Sequence, residues 1–146
     1  MLLSGTVFTA RDAAHKRMCD ALSRGEELPF DVAGQIIYYA GPAPAQPGQI
    51  IGSCGPTTSC RMDAYTIPLL ERGLRGMIGK GERGSYIYDA ISKSGAVYFG
   101  AIGGAGALLS KCVTSCETVC YDDLGCESVK KLTIKDFPLI VIYSGV

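Results

Sequence analysis

The sequence predicts an α/β layered domain, and three observations carry that prediction. Short apolar runs that suit strands alternate along the chain with amphipathic segments at helical spacing. Three of those runs end at a glycine, Gly55, Gly79 or Gly100, and each opens into a loop ahead of the next segment. Glycine makes up 19 of the 146 residues, roughly 13% against a usual 7%, and much of the excess sits in these loops. If the strands lie side by side and parallel, the three loops meet at one sheet edge, where open α/β sheets bind ligands.

Taken in order, Leu2 to Phe8 reads as a strand that runs into Thr9-Ala-Arg-Asp12, a Thr-x-x-Asp pattern that suits a helix cap and capping box. The helix that follows carries Ala14, Met18 and Leu22 at steps of four and ends near Gly25. Gln35 to Ala40 is a second strand, a loop with Pro42, Pro44 and Pro47 follows, and Gln49 to Cys54 is a third strand. Gly55-Pro56 makes a turn, and the hydroxyls of Thr57, Thr58 and Ser59 offer caps for a helical segment that Pro68 is expected to divide. Met77-Ile78 is a short strand, and Ser85 caps a helix bearing Ile87, Ala90 and Ile91 that stops at Gly95. Ala96 to Phe99, Val119 to Tyr121 and Leu139 to Tyr143 complete the strands, with a short helix at Glu127 to Lys131. There is no internal repeat or interdomain linker, so a single domain over 1–146 is expected.

Composition removes several function classes. Fourteen Lys and Arg balance fourteen Asp and Glu, so the broad basic footprint of a nucleic-acid or anionic-membrane binder is missing and any anion site must be local. The apolar uncharged run from Ser94 to Ser110 is shorter than the roughly 20 residues of a spanning helix and contains five glycines. No basic segment precedes the short apolar N-terminus, so a cytoplasmic address is expected. Seven cysteines, an odd number, point to reduced thiols rather than a disulfide framework. Cys112, Cys116 and Cys120 recur every fourth residue, but no Cys-x-x-Cys pair exists and His15 is the sole histidine, so buried thiols are a better account than a metal site.

The loops and helix starts hold Arg11, Arg61, Lys80 and Arg83. A cation in the first turn of a helix opposes the helix dipole, and an anion bound there would explain Arg11 and Arg61. Two guanidiniums, each able to grip a carboxylate with two bonds, suit a substrate with two carboxylates; the alternative is that they pair with Asp12 and Asp63 or point to solvent. Lys80 stands between Gly79 and Gly81, which let backbone approach a ligand, and is otherwise an ordinary turn lysine. Thr57 follows Gly-Pro and either bonds a ligand or caps the helix. His15, four residues after Arg11, lies on the same helical face and suits a structural hydrogen bond. Gly100 to Ala107 meets neither nucleotide-binding fingerprint, and close packing of a helix accounts for it.

Four motifs together resemble a known family. Leu3-Ser-Gly-Thr-Val-Phe-Thr-Ala-Arg-Asp-Ala-Ala-His15, Gly55-Pro-Thr-Thr-Ser-Cys-Arg-Met-Asp63, Gly76-Met-Ile-Gly-Lys-Gly81 and Phe99-Gly-Ala-Ile-Gly-Gly104 are similar to the β subunit of iron-sulfur hydro-lyases of the class I fumarase and L(+)-tartrate dehydratase type, and the likeness runs on through Lys135-Asp-Phe-Pro138. The resemblance implies a swivelling β/β/α domain that closes over a 4Fe-4S cluster held by a separate α subunit or N-terminal domain, with an open iron acting on the substrate as a Lewis acid. It implies that Arg11 and Arg61 hold the substrate carboxylates, with Thr58 as a further substrate ligand. Thr57 becomes a candidate proton acceptor and Lys80 a group that binds substrate and assists proton transfer. A neutral threonine is a poor base, so Thr57 needs a neighbour to take its proton.

The family pattern usually has further residues before the Leu-Ser-Gly-Thr strand, and the series from Cys112 to Cys126 is not part of it, so this chain is assigned no metal ligands. The expectation is a β subunit that, with its cluster-bearing partner, reversibly hydrates a dicarboxylate, fumarate first and tartrate next, as a cytoplasmic hetero-oligomer. Two alternatives remain at this level: a non-catalytic module that holds a phosphate or organic anion in its glycine loops, and a cysteine-based metal module.

Overall fold

The computed structural model describes residues 1–101 and 106–146. Its elements are β1 (Leu2–Thr9), α1 (Asp12–Ser23), β2 (Ile36–Tyr38), α2 (Asp63–Glu71), β3 (Gly76–Gly79), α3 (Ser85–Ser94), β4 (Val97–Gly100), a single turn α4 (Gly106–Leu109), β5 (Val113–Cys120), β6 (Val129–Pro138) and β7 (Ile140–Ser144). The seven strands form one sheet in the order β5-β6-β1-β2-β3-β4-β7. The four inner strands, β1 to β4, run parallel, with Phe8 beside Ile37, Ile37 beside Met77, and Ile78 beside Phe99. β6 joins β1 antiparallel, β5 joins β6, and β7 closes the other side against β4. The α/β class is therefore found, with α1, α2 and α3 connecting the parallel strands from one side of the sheet.

Side-chain alternation explains that arrangement. Phe8, Ile37, Met77 and Tyr98 point into one buried cluster with Ala14 and Met18 of α1, Leu69 of α2, and Ile87 and Ile91 of α3. Their neighbours Val7, Tyr38, Ile78 and Phe99 point into a second cluster with Ile51, Cys54, Leu109 and Leu139. The central strands are thus covered on both faces, the usual condition of parallel strands. Loops and α4, rather than long helices, cover the second face.

Several sequence expectations are corrected. Gln49 to Cys54 is not a strand. It crosses the second face, bonding to the proline-rich loop through Gly52 N to Ala43 O at 3.1 Å and Ala43 N to Ser53 O at 2.9 Å, while Ile51 and Cys54 sink into the core. Prolines 44 and 47 lack the donors a regular ladder needs. Pro68 lies inside α2 without dividing it, because Thr66, Leu69 and Leu70 are buried together and hold the helix through the missing donor. Glu127 to Lys131 is not helical: a 3-10 stretch covers Asp122–Glu127 and then β6 begins, its buried Val129, Leu132, Ile134 and Phe137 facing the core. Thr9 and Ser85 are not caps. Thr9 ends β1 and its buried hydroxyl accepts Lys130 N at 3.2 Å, while the carboxylate of Glu127 accepts Ala13 N at 3.3 Å and so satisfies the start of α1 from across the fold. Gly84, not Ser85, precedes α3, which stops at Gly95 with φ +74° as expected.

One buried ion pair ties the helix layer to the sheet. Arg83 Nε donates to Asp63 Oδ1 at 2.8 Å, and the Arg83 side chain has no exposed surface. Arg83 Nη2 donates to Thr66 Oγ1 at 2.8 Å, and Gly84 N donates to Asp63 Oδ2 at 2.9 Å. The guanidinium also lies 5.1 Å from the ring centres of both Tyr39 and Tyr98, a double cation–π arrangement. Replacing Arg83 with methionine leaves the Asp63 carboxylate buried without its cation, and unfolding in urea is expected to show a loss of about 3–5 kcal/mol. Removing both charges, as Arg83→Met with Asp63→Leu, should recover much of that loss. Equal losses in the single and double variants would contradict the pair.

Candidate active site at the carboxyl edge of the parallel strands

The carboxyl ends of β1, β2 and β3 position the candidate residues. Beyond β1, Ala10 N donates to Tyr38 O at 3.1 Å, and Arg11 then caps α1 in extended conformation. The half-buried Arg11 side chain runs past Gly41, where a Cβ would come within 2.8 Å of Arg11 Cδ. Its Nε is buried without a hydrogen-bond partner among the described residues.

Beyond β2, the carbonyl of Tyr39 accepts Thr57 N at 2.6 Å. Thr58 forms a parallel bridge with Lys80, and Ser59 N donates to Lys80 O at 2.9 Å, which lays the threonine loop along the end of β3. Gly79 permits this approach, since a Cβ there would strike the Ser59 hydroxyl and come within 2.9 Å of the Tyr39 ring. Gly81 has φ +83°, which favours glycine after the lysine. Tyr98 fastens the same corner: its hydroxyl donates to Gly81 O at 2.7 Å and is bonded by the Ser59 hydroxyl at 2.7 Å.

A 3-10 turn over Ser59–Met62 carries Arg61, whose guanidinium pairs with the Asp12 carboxylate on the first turn of α1. The pair is half-exposed, at 50% and 36% of the two side chains, so breaking it costs only about 0–1 kcal/mol. The alternative from sequence, each arginine paired with the aspartate next to it, is not what is found: Arg61 pairs with Asp12, and Asp63 belongs to Arg83. The edge brings Thr57, Thr58 and Lys80 together, and joins Arg61 to the helix start that Arg11 caps. The third glycine loop approaches as well: Ala101 N donates to Gly79 O at 2.8 Å and Cys54 N donates to Gly106 O at 3.0 Å. The role given to Gly103 and Gly104 falls outside the described residues.

One neighbour went unassigned by sequence, and another was given a structural hydrogen bond. Tyr39, behind Thr57, is one of two adjacent tyrosines in an apolar strand, and nothing in the pattern distinguishes them. His15, marked only by its spacing from Arg11, is wholly buried; its Nδ1 donates to Arg11 O at 2.8 Å and its ring meets Tyr39 edge-on at 5.3 Å. Burial lowers its pKa from 6.5 to about 4, so the ring is neutral near pH 7.

All seven cysteines are free. Cys116 and Cys120 lie on β5 four residues apart, about 13 Å along a strand. Among the described residues, no group of three or more His, Cys, Asp or Glu side chains is placed to hold a metal ion. Burial raises the pKa of Cys54, Cys116 and Cys120, which keeps these thiols protonated.

The comparison with protein families decides which lineage built this edge. Residues 1–145 match the family described as fumarase C-terminus. The chain belongs to that family. It is 40% identical over 142 residues to the aerobic class I fumarate hydratase of Escherichia coli strain K12, covering 96% of this chain and 26% of that protein. It is 38% identical over 144 residues to fumarate hydratase 2 of Leishmania major, covering 97% and 25%. A Methanocaldococcus jannaschii protein named as the beta subunit of an L(+)-tartrate dehydratase is 37% identical over 145 residues, covering 95% of this chain and 74% of that one. The chain thus spans about a quarter of the length of the class I fumarate hydratases it matches.

The buried histidine has a measurable consequence. The unfolded chain takes up the His15 proton near pH 6.5 and the folded one near 4, so between those values the unfolded state binds more protons. Stability falls as pH drops through this window, by about 3 kcal/mol from His15 alone. Urea midpoints across the window should show a shallower decline for His15→Gln than for the native chain, and parallel profiles would contradict a buried neutral imidazole.

Proposed function

We propose that residues 1–146 act as one domain and form the β part of a hydro-lyase that reversibly adds water across the double bond of a dicarboxylate, fumarate and malate first and tartrate next. The observation that carries this reading is the meeting of Thr57, Thr58 and Lys80 at the end of β3, next to the helix start where Arg11 and Arg61 supply two guanidiniums. Relatives named as fumarate hydratases and as a tartrate dehydratase beta subunit supply the reaction class.

Arg11 and Arg61 each take one carboxylate of the substrate through paired N–H donors. Arg61 leaves Asp12 to do so, which the exposure of that pair makes inexpensive. With both ends of the substrate held, the carbon next to a carboxylate faces Thr57 and Lys80. Thr57 relays the proton from that carbon, its oxygen taking it as its own hydroxyl hydrogen passes to Lys80 in the neutral amine form, which also binds substrate. In the hydration direction the same groups return it.

The resemblance also implies a 4Fe-4S cluster. The described residues of this chain do not fit it, because the cysteines of β5 are spread along a strand and no other donor set converges. The cluster is accordingly assigned to a separate α subunit or N-terminal domain. A cytoplasmic hetero-oligomer is the matching setting; among the described residues no helix is long and apolar enough to cross a membrane.

Two variants in the complex with the cluster-bearing partner test these roles. Arg61→Ala should lower kcat/KM by about 10²-fold or more with the cluster absorbance unchanged. Lys80→Met should slow exchange of the proton on the substrate carbon with solvent by about 10²-fold. Near-native kinetics in the first variant would remove Arg61 from the site, and unchanged exchange in the second would remove Lys80 from proton transfer.

A further inference from the structure

Among the described residues, four buried polar atoms around the start of α1 lack a hydrogen-bond partner: Arg11 Nε, Asp12 Oδ1, His15 Nε2 and Tyr39 Oη. Such orphans are uncommon in native proteins, and four around one helix start call for an account beyond packing. His15 stands at their centre. Its Nδ1 lies 2.8 Å from the Arg11 carbonyl oxygen. A carbonyl only accepts, so Nδ1 carries the hydrogen and the neutral ring leaves Nε2 as a bare acceptor.

The same carbonyl also accepts the His15 backbone N at 2.9 Å. Two bonds from one residue therefore hold the Arg11 peptide where the chain leaves β1 for α1. That peptide sets the direction in which the Arg11 side chain departs, along the lane that Gly41 leaves open. On its other side the imidazole packs against Tyr39 at 5.3 Å and Tyr65 at 6.3 Å. Tyr39 in turn holds Thr57 through its carbonyl. One ring thus stands between the arginine at the end of β1 and the threonine beyond β2.

We propose that His15 is a positioning residue for the substrate site: its Nδ1–H fixes Arg11, and its ring braces Tyr39 behind Thr57. The inference rests on Arg11 as a carboxylate ligand, as given under the proposed function. His15 itself does not touch substrate.

The chemistry of the two amides supplies the test. Asparagine places an N–H donor near the position of Nδ1, and glutamine places one near that of Nε2. In the complex with the cluster-bearing partner, His15→Gln is expected to raise KM for fumarate or malate about tenfold, and His15→Asn by less than about threefold. In Arg11→Ala, which itself raises KM, adding His15→Gln should change KM by less than about twofold, because the histidine acts through the arginine. The nitrogen resonances of His15 in the intact chain provide a readout independent of activity and should show the Nδ1–H tautomer. Equal effects of the two amides, full additivity with Arg11→Ala, or an Nε2–H tautomer would each overturn the inference while leaving Arg11 in place. An unchanged KM in Arg11→Ala would instead remove Arg11 from carboxylate binding, and the inference with it.

Discussion

The buried guanidinium of Arg83 is the point on which the rest of the molecule depends. It reaches Asp63 and Thr66 on α2, lies against Tyr39 beyond β2 and Tyr98 on β4, and comes two residues before α3. An unpaired charge in that position would cost several kcal/mol, so the elements that satisfy it are held to one geometry. Three candidate site residues, Thr57, Lys80 and Arg61, are one step from this frame. Tyr39 holds Thr57, Tyr98 and Ser59 hold the turn after Lys80, and Arg61 lies two residues before Asp63.

A second arginine–aspartate pair lies nearby and behaves differently because water reaches it. Arg61 and Asp12 carry the same charges as Arg83 and Asp63, but half the Arg61 side chain is exposed, whereas that of Arg83 is fully enclosed. In water such a pair is worth little and can open when a better partner arrives. In the interior it is structural. Burial rather than residue type therefore separates the arginine proposed to grip substrate from the one that anchors the fold.

Much of this was legible in the sequence where local chemistry decides the outcome. The four parallel strands, α1 and α3 follow from apolar spacing and from glycine stops. The Thr57 loop does meet Lys80 as the glycine loops led one to expect, although no strand ends at Gly55. The sequence misleads where distant contacts override local preference. Gln49 to Cys54 has a strand's composition but spends its hydrogen bonds on a proline-rich loop, and Lys130 lies in a strand because β1 offers Val129 and Leu132 a core to face. Thr9 looks like a cap, yet the start of α1 is satisfied by Glu127, 114 residues away from Ala13. Tyr39 could not be ranked as a site neighbour from sequence, since its role exists only once β1 and β2 lie side by side, whereas the spacing of His15 from Arg11 already put it on the face of that arginine.

The carboxyl edge offers two guanidiniums, a threonine pair and a lysine, and the proposed function assigns the rest of the site to a separate α subunit or N-terminal domain. The most direct measurement is fumarate hydration by the chain alone, by the cluster-bearing partner alone and by the two together. Turnover only in the combined sample is expected. Full turnover by this chain alone, or none in the combined sample with the cluster intact, would contradict the half-site.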